Sequence, residues 1–308
     1  MIKIDLVTGF LGSGKTTFIK RYVGMLKDKG NKVGILENDF GAVNVDMMLL
    51  GELADDNCDI ETVAGACDKD CHIRRFKTKL IAMGMGGYDR VVVEPSGIFD
   101  TDEFFDVLRE YPLDSWYEIG NVIAVADAQS EDELSEQSEY LFASQLANAG
   151  VIMLSRIQET EKNDIQKTVQ HIAEAVENLC GRQLKDEIIA EDWSQLSEEK
   201  WNSILCCGHY KTDFIKRFSR EDIYRSVYYL NVDISLSKLR QSAEKIFNLP
   251  ECGKIYRIKG FVLEDGQWYE LNAARNCINI KPIVSGQKVI IVIGESPDKD
   301  AIDKVMLP

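Results

Sequence analysis

Two glycines, four residues between them, then lysine and threonine, occur almost at the start of the chain: Gly9-Phe10-Leu11-Gly12-Ser13-Gly14-Lys15-Thr16. This is a complete phosphate-binding loop. Ile2, Ile4 and Leu6 alternate before it as in a strand, and Phe18, Ile19, Tyr22, Val23 and Leu26 recur after it at helical spacing. In that strand–loop–helix setting the backbone N–H groups surround an anion at a helix N-terminus. Gly9, Gly12, Ser13, Gly14, Lys15, Thr16 and Thr17 are the expected phosphate ligands. Lys15 reaches the β- and γ-phosphates and the Thr16 hydroxyl is placed for Mg²⁺. A glycine turn with only a structural role is the weaker reading. A bound nucleoside triphosphate is the expectation.

With 308 residues the chain suits two domains better than one. Its 51 acidic and 36 basic residues give a formal charge of −15, which argues against nucleic acid as a partner. No apolar run approaches the roughly 20 residues that span a bilayer, so no membrane partner is expected. The first ten residues form a strand with no secretory pattern, and the cytoplasm is the expected location. In a reducing compartment the eight cysteines are expected as thiols or metal ligands rather than disulfides.

The first half predicts an α/β fold, a P-loop NTPase with a mainly parallel sheet. Continuous apolar runs at Val33–Leu36, Val91–Val93, Val122–Ala126 and Val151–Leu154 read as strands covered on both faces. Helices are predicted at Arg75–Met83, Asp102–Leu108, Glu133–Asn148 and Glu161–Cys180. Asp192–Leu205 carries three core candidates, Trp193, Leu196 and Trp201. Beyond it, strands at Arg225–Leu230, Ile255–Leu263, Gln267–Leu271 and Lys288–Gly294 and a helix at Leu236–Phe247 predict a small α+β domain. The domains are expected to be residues 1–215 and 216–308, with the boundary near 210–222.

Two further segments fall where strands of the first domain end, the edge at which α/β sheets bind ligands. They are Glu37-Asn38-Asp39-Phe40-Gly41 and Glu94-Pro95-Ser96-Gly97. A carboxylate at such a place can hold Mg²⁺ and a following glycine can sense a γ-phosphate. Asp127, after the next strand, serves the fold or the site equally well. On these residues the chain resembles the CobW-like metallochaperones, a branch of the CobW/HypB/UreG group of P-loop GTPases. The likeness rests on Gly9–Thr17, Glu37–Gly41 with Val45-Asp46, Val93–Gly97, Ala126-Asp127-Ala128 and Ser144–Ala149. In the second domain it rests on Tyr256–Phe261.

The resemblance implies GTP hydrolysis coupled to delivery of a metal ion or metal cofactor to a client metalloprotein or corrinoid protein. It implies Lys15, Asp39 and Glu94 at the reacting phosphate, Thr16, Asp39 and Glu94 around Mg²⁺, and Gly97 at the γ-phosphate. Ser155, Arg156 and Gln158 then face the base. A homodimer is compatible with all of this.

The chain departs from that pattern twice. Where the group reads guanine with Asn-Lys-x-Asp, this chain has Ser155-Arg156-Ile157-Gln158. Losing the carboxylate's charge-assisted bonds costs about 1.5–3 kcal/mol. Weak guanine preference, an ATP site or a different guanine contact all stay open. Where the group has Gly followed by Cys-x-Cys-Cys, this chain has Gly65-Ala66-Cys67-Asp68-Lys69-Asp70-Cys71-His72. Cys67 and Cys71 at helical spacing, with His72 and Asp68 or Asp70, form a candidate site for Zn²⁺, Ni²⁺ or Co²⁺. Cys58 is a further candidate for that cluster, and Cys206-Cys207-Gly208-His209 is a separate one. Buried thiols or local structure, or a redox or cofactor contact, are the alternatives for the first, and core packing is the alternative for the second. His171 reads as a solvated side chain. Two other functions stay open: an ATP-dependent activator of a corrinoid or other metalloenzyme, and a nucleotide-regulated binding protein without turnover.

Overall fold

Alternate residues of a strand point to opposite faces, and this chain fills both faces with apolar side chains. In the computed structural model, which describes residues 1–38, 50–63, 69–99, 101–129, 134–212 and 224–307, the result is a sheet with two cores. Seven strands, β1 (Ile2–Thr8), β2 (Val33–Asn38), β3 (Cys58–Val63), β4 (Arg90–Pro95), β5 (Tyr117–Asp127), β6 (Val151–Ser155) and β7 (Ile188–Ile189), run parallel in the order β3-β2-β4-β1-β5-β6-β7. The connecting helices include α1 (Lys15–Asp28), α2 (Lys69–Gly84), α3 (Thr101–Leu108), α4 (Glu136–Ala147), α5 (Lys162–Cys180) and α6 (Glu198–Ile204). Ile4, Leu6, Val91, Val93, Ala124 and Ala126 share one core with residues of α2 to α5. Val7, Val92, Ile123 and Val125 face the other way, onto Phe18 and Tyr22 of α1 and Trp201 of α6.

Several elements differ from the sequence expectations, each for a local reason. β3 was not expected: only Cys58 and Val63 at its ends are buried, so this edge strand carries no apolar run. Helix α2 starts at Lys69 and not at Arg75, because its first turn holds Lys69, Asp70 and Cys71, which add nothing to the apolar period. Asp192–Leu205, for which core positions but no element were expected, contains a helix at Glu198–Ile204, where the Ser197 hydroxyl caps it by accepting from Lys200 N at 3.3 Å. Trp193 and Leu196 precede that helix and are nevertheless buried beside Trp201. Among the described residues no helix is long and apolar enough to cross a membrane.

The chain divides into two compact units, Met1–Phe218 and Ser219–Pro308. In the second, β8 (Tyr224–Leu230), β9 (Lys254–Glu264), β10 (Gln267–Ala274), β11 (Cys277–Ile283) and β12 (Val289–Glu295) form an antiparallel sheet in the order β11-β10-β9-β12-β8. Helices α7 (Leu236–Asn248) and α8 (Lys299–Met306) pack with it through Leu239, Ile246, Ile302 and Met306. β11 and α8 were not foreseen. No residue of β11 is buried, and only Ile302 and Met306 of α8 are, too few for a clear period.

A buried ion pair ties the strands of the first unit to its first helix. Asp5 on β1 is fully buried and paired with Arg90 Nε of β4 at 3.2 Å. Tyr22 of α1 donates to Asp5 Oδ2 at 2.8 Å, and Asn121 N of β5 donates to Oδ1 at 2.7 Å. Asn121 Nδ2 donates to Tyr22 Oη and to Leu205 O, both at 2.8 Å. Burial pushes the Asp5 carboxyl up, against the opposing pull of the Arg90 guanidinium. Removing one partner of a buried ion pair costs about 3–5 kcal/mol. Arg90→Met is therefore expected to destabilise the first unit by about that amount in urea unfolding followed by tryptophan fluorescence. Adding Asp5→Asn should recover part of the loss. Simple additivity of the two substitutions would refute the coupling.

Candidate functional site

The glycine-rich loop leaves β1 at the carboxyl edge of the sheet and enters α1 through Gly14. Gly9 has φ +142°, and a Cβ there would lie 2.1 Å from Val125 O, so no other residue fits. The Lys15 ammonium donates to Gly9 O at 2.9 Å and to Phe10 O at 3.3 Å, folding over the loop from the first turn of the helix. Thr16 donates from Oγ1 to Glu94 Oε1 at 2.7 Å, across 78 positions of sequence. Thr17 is exposed, whereas Gly12 and Ser13 are buried.

Glu94 lies near the end of β4 and is in register with Glu37 of β2. Both side chains are buried, which sets two carboxylates side by side. Two like charges so placed call for a cation, a shared proton or strong donors. Beyond β4 the chain passes Gly97, where a Cβ would lie 2.8 Å from both N and Cα of Leu11 in the loop. Gln145 of α4, completely buried, donates from Nε2 to Gly97 O at 3.0 Å and to Phe99 O at 3.2 Å. Gln145 belongs to a segment noted for its resemblance, but its bracing role was not read from the sequence. A polar residue on a helix face flanked by Phe142 and Leu146 was the available signal.

On the other flank, Ser155 ends β6 and its hydroxyl is buried near Gly14, 3.6 Å from where a Cβ would stand. Arg156, at φ +55°, donates from Nη2 to Gly12 O at 3.0 Å and forms an ion pair with Asp127. Asp127 thus serves to hold Arg156 against the loop, and Gln129 N donates to its Oδ1 at 3.0 Å. Gln158 is exposed and lies against the carboxylate of Asp192. Trp193, missed as a site residue, packs edge-on against Phe18 with centroids 5.4 Å apart, and its Cη2 comes within 3.9 Å of a Cβ at Gly14.

The hydroxyls of Thr8, Ser13 and Ser155 and the carboxamide of Asn38 are buried without a hydrogen-bond partner. Three of these residues end parallel strands and the fourth lies in the loop, so they gather on one edge. Buried polar atoms in native proteins are almost always satisfied, and such a gathering marks a polar ligand site. Hydroxyl and carboxylate oxygens at Thr16 and Glu94 are the hard donors that suit Mg²⁺.

Asp39 and Cys67, with Phe40, Gly41, Val45, Asp46, Gly65, Ala66 and Asp68, lie outside the described residues. Cys71 is half-buried and His72 is fully buried, one position apart in the first turns of α2. Neighbours on a helix diverge by about 100°, so these two side chains leave it in different directions. Among the described residues no three His, Cys, Asp or Glu side chains gather as a metal site. Cys58 does not join Cys71: it opens β3, whose other end leads toward the cysteine segment. It is buried there, with its thiol pushed up to about 11. The Cys206–His209 segment also fails to gather ligands. Burial raises the Cys207 thiol to about 12 and lowers His209. His171 is not merely solvated, because it stacks on Phe142 and meets Glu139 Oε1 at 2.8 Å.

Residues 3–182 match the profile of a family described as CobW/HypB/UreG, nucleotide-binding domain. The chain is 26% identical over 283 residues to the zinc chaperone YjiA of Escherichia coli, covering 86% of this chain and 83% of that protein. It is 29% identical over 163 residues to the zinc chaperone YeiR of the same organism, covering 52% of this chain and 48% of that protein. Superposed on the crystal structure of the Zn(II)-bound YjiA GTPase from E. coli, it gives a TM-score of 0.40 at 20% identity, covering 99% of this chain and 97% of that one.

The tight approach of Gly97 to the loop yields a test that needs no ligand. Gly97→Ala places a methyl group against backbone atoms that cannot rotate away, and overpacking of this kind costs about 1–3 kcal/mol. The variant is expected to lower the denaturation midpoint of the first unit accordingly. An unchanged midpoint would mean that the turn moves off the loop freely.

Proposed function

Because the chain belongs to the CobW/HypB/UreG family, we propose that it hydrolyses a nucleoside triphosphate, GTP in the first instance, and couples this to delivery of a metal ion or metal cofactor to a client protein. The observation that carries the reading is the hydrogen bond from Thr16 to Glu94. It joins the last residue of the phosphate loop to a buried carboxylate at the end of a neighbouring strand. Thr16 and Glu94 are the residues that would hold Mg²⁺, with Asp39 as the third ligand proposed from the sequence. When bound, Mg²⁺ would neutralise charge on the β- and γ-phosphates.

The chain's own residues do the rest by position and charge. Amides of Gly12–Thr16 line the phosphates, and Lys15, which now bonds to loop carbonyls, swings to the γ-phosphate. Gly97 lies against the loop and is the proposed γ-phosphate sensor, linked to α4 through Gln145. Loss of the γ-phosphate would release residues 37–46 and 94–97, and a client would read the change.

Zinc is the proposed cargo, since two relatives are named as zinc chaperones. Cys67 and Cys71 are proposed as thiolate ligands, with carboxylates of Asp68 or Asp70 and the imidazole of His72 as the remaining candidates. An ATP-driven activator of a metalloenzyme is the second reading, favoured by the absence of a carboxylate at Gln158.

Lys15→Ala is expected to weaken Mg²⁺–GTP binding by about ten- to a hundredfold in isothermal titration, with the fold intact. Failure of the unaltered protein to take up GTP or ATP at millimolar concentration would end the nucleotide reading. Purified without chelator, the protein should carry zinc that is lost in Cys67→Ser/Cys71→Ser while GTP affinity stays the same. Retention of the metal in that variant would remove these cysteines from the cargo site.

A further inference from the structure

The base-reading region raises a specific problem. Aligned on the family pattern, the position that should carry a carboxylate is Gln158. A guanine presents two donors on one edge, N1–H and the 2-amino group, and a neutral carboxamide offers only one acceptor oxygen to them. The sheet places a carboxylate beside it from another part of the chain. β6 and β7 run parallel with Met153 in register with Ile189. Arg156 and Asp192 each stand three residues beyond that pair, so the segments leaving the two strands emerge side by side at the carboxyl edge.

Three contacts tie both segments to the phosphate loop and to each other. Arg156 reaches Gly12 O at 3.0 Å, and Trp193, next to Asp192, brings its Cη2 to 3.9 Å from where a Cβ on Gly14 would stand. The Gln158 side chain lies against the Asp192 carboxylate. Asp192 is itself oriented: its Oδ1 accepts from Ser194 N at 2.8 Å and from Ser194 Oγ at 2.7 Å. Those bonds hold its carboxyl below the usual range, the hydroxyl contributing most. Gln195 Nε2 approaches its Oδ2 at a long 3.4 Å, and a carboxylate oxygen has lone pairs for more than one donor.

We infer that Asp192 supplies the purine-reading carboxylate that position 158 lacks, with Asp192 Oδ2 and Gln158 Oε1 accepting from N1–H and the 2-amino group of a guanine. The inference rests on the nucleotide reading above and makes the site selective for GTP. Adenine would turn the N1 lone pair toward the carboxylate and provide no 2-amino donor. A site built for two donors rejects a base lacking them, since its own polar groups are left unpaired.

Asp192→Asn separates the two roles of this residue. Asparagine Oδ1 keeps the bonds from Ser194, while Nδ2 replaces the accepting oxygen with a donor. Titrated with Mg²⁺–GTP and Mg²⁺–ATP, the unaltered protein should prefer GTP, and the variant should lose about tenfold or more in GTP affinity with ATP affinity retained. Inosine triphosphate, which lacks only the 2-amino group, should fall between GTP and ATP on the unaltered protein. Retained ATP binding also reports that the phosphate loop of the variant is folded. A GTP-to-ATP ratio unchanged by Asp192→Asn overturns the inference and leaves the nucleotide reading standing, as does an equal loss of both nucleotides. Uptake of neither nucleotide by the unaltered protein overturns the two together.

Discussion

The hydrogen bond between Tyr22 and Asp5 fixes the angle at which helix α1 leaves the sheet, and everything at the phosphate loop follows from that angle. Tyr22 stands seven residues into its turn from Lys15, about two helical turns or 10 Å along the axis. Asp5 lies three residues before the end of β1. The loop therefore spans two elements that are already clamped below it. Arg90 and Asn121 bring β4 and β5 into the same clamp, and Asn121 extends it to Leu205 and Gly208. A fully apolar seam would hold these elements together too, but it would let them slide. Directional bonds to a single buried carboxylate fix the register among three strands and a helix at once.

With the base of the loop held, its rim is shaped by close backbone approaches. Gly9 is pressed against Val125 of β5, and Gly97 against Leu11. The contact of Gly97 is reinforced from outside by Gln145, whose amide holds the carbonyls of Gly97 and Phe99. A displacement of the turn after β4 must then be felt either in the loop or in α4. Phe142, one turn before Gln145 on α4, also meets Phe10 of the loop edge-on with centroids 6.5 Å apart and stacks on His171 of α5. Turn, loop and helix form one packed set, which is the physical requirement for a change at one to reach the others.

How much of this could be read beforehand depended on whether a residue announced itself by pattern. The phosphate loop did, because its glycines, lysine and threonine have fixed spacing. The central strands did, since Val91–Val93, Val122–Ala126 and Val151–Leu154 are buried on both faces and carry no polar alternation. Edge elements did not. β3 and β11 have few buried residues, and β7 is two residues long. Asp5 and Arg90 were invisible for a different reason: Asp5 looks like the polar position of an alternating strand and Arg90 like the margin of an apolar run, and only the fold brings them within 3.2 Å. The same is true of Asp127 and Arg156, where sequence left Asp127 undecided and their ion pair assigns it to the support of the loop.

Gln158 illustrates how far a residue-by-residue alignment can carry an argument. Aligned positions compare one chain segment with its counterpart, and they treat the loss of a carboxylate as the loss of a function. Parallel strands, however, deliver their carboxyl ends to a common edge, so a group can be supplied from the neighbouring strand without any change in the shape of the site. Here the neighbour is β7, and its short length matters. Two paired residues are enough to set the register with β6, and the chain then turns at once through Asp192 into Trp193, which is anchored on Phe18. Position on the sheet edge, more than identity at an aligned site, governs which side chains meet a ligand there.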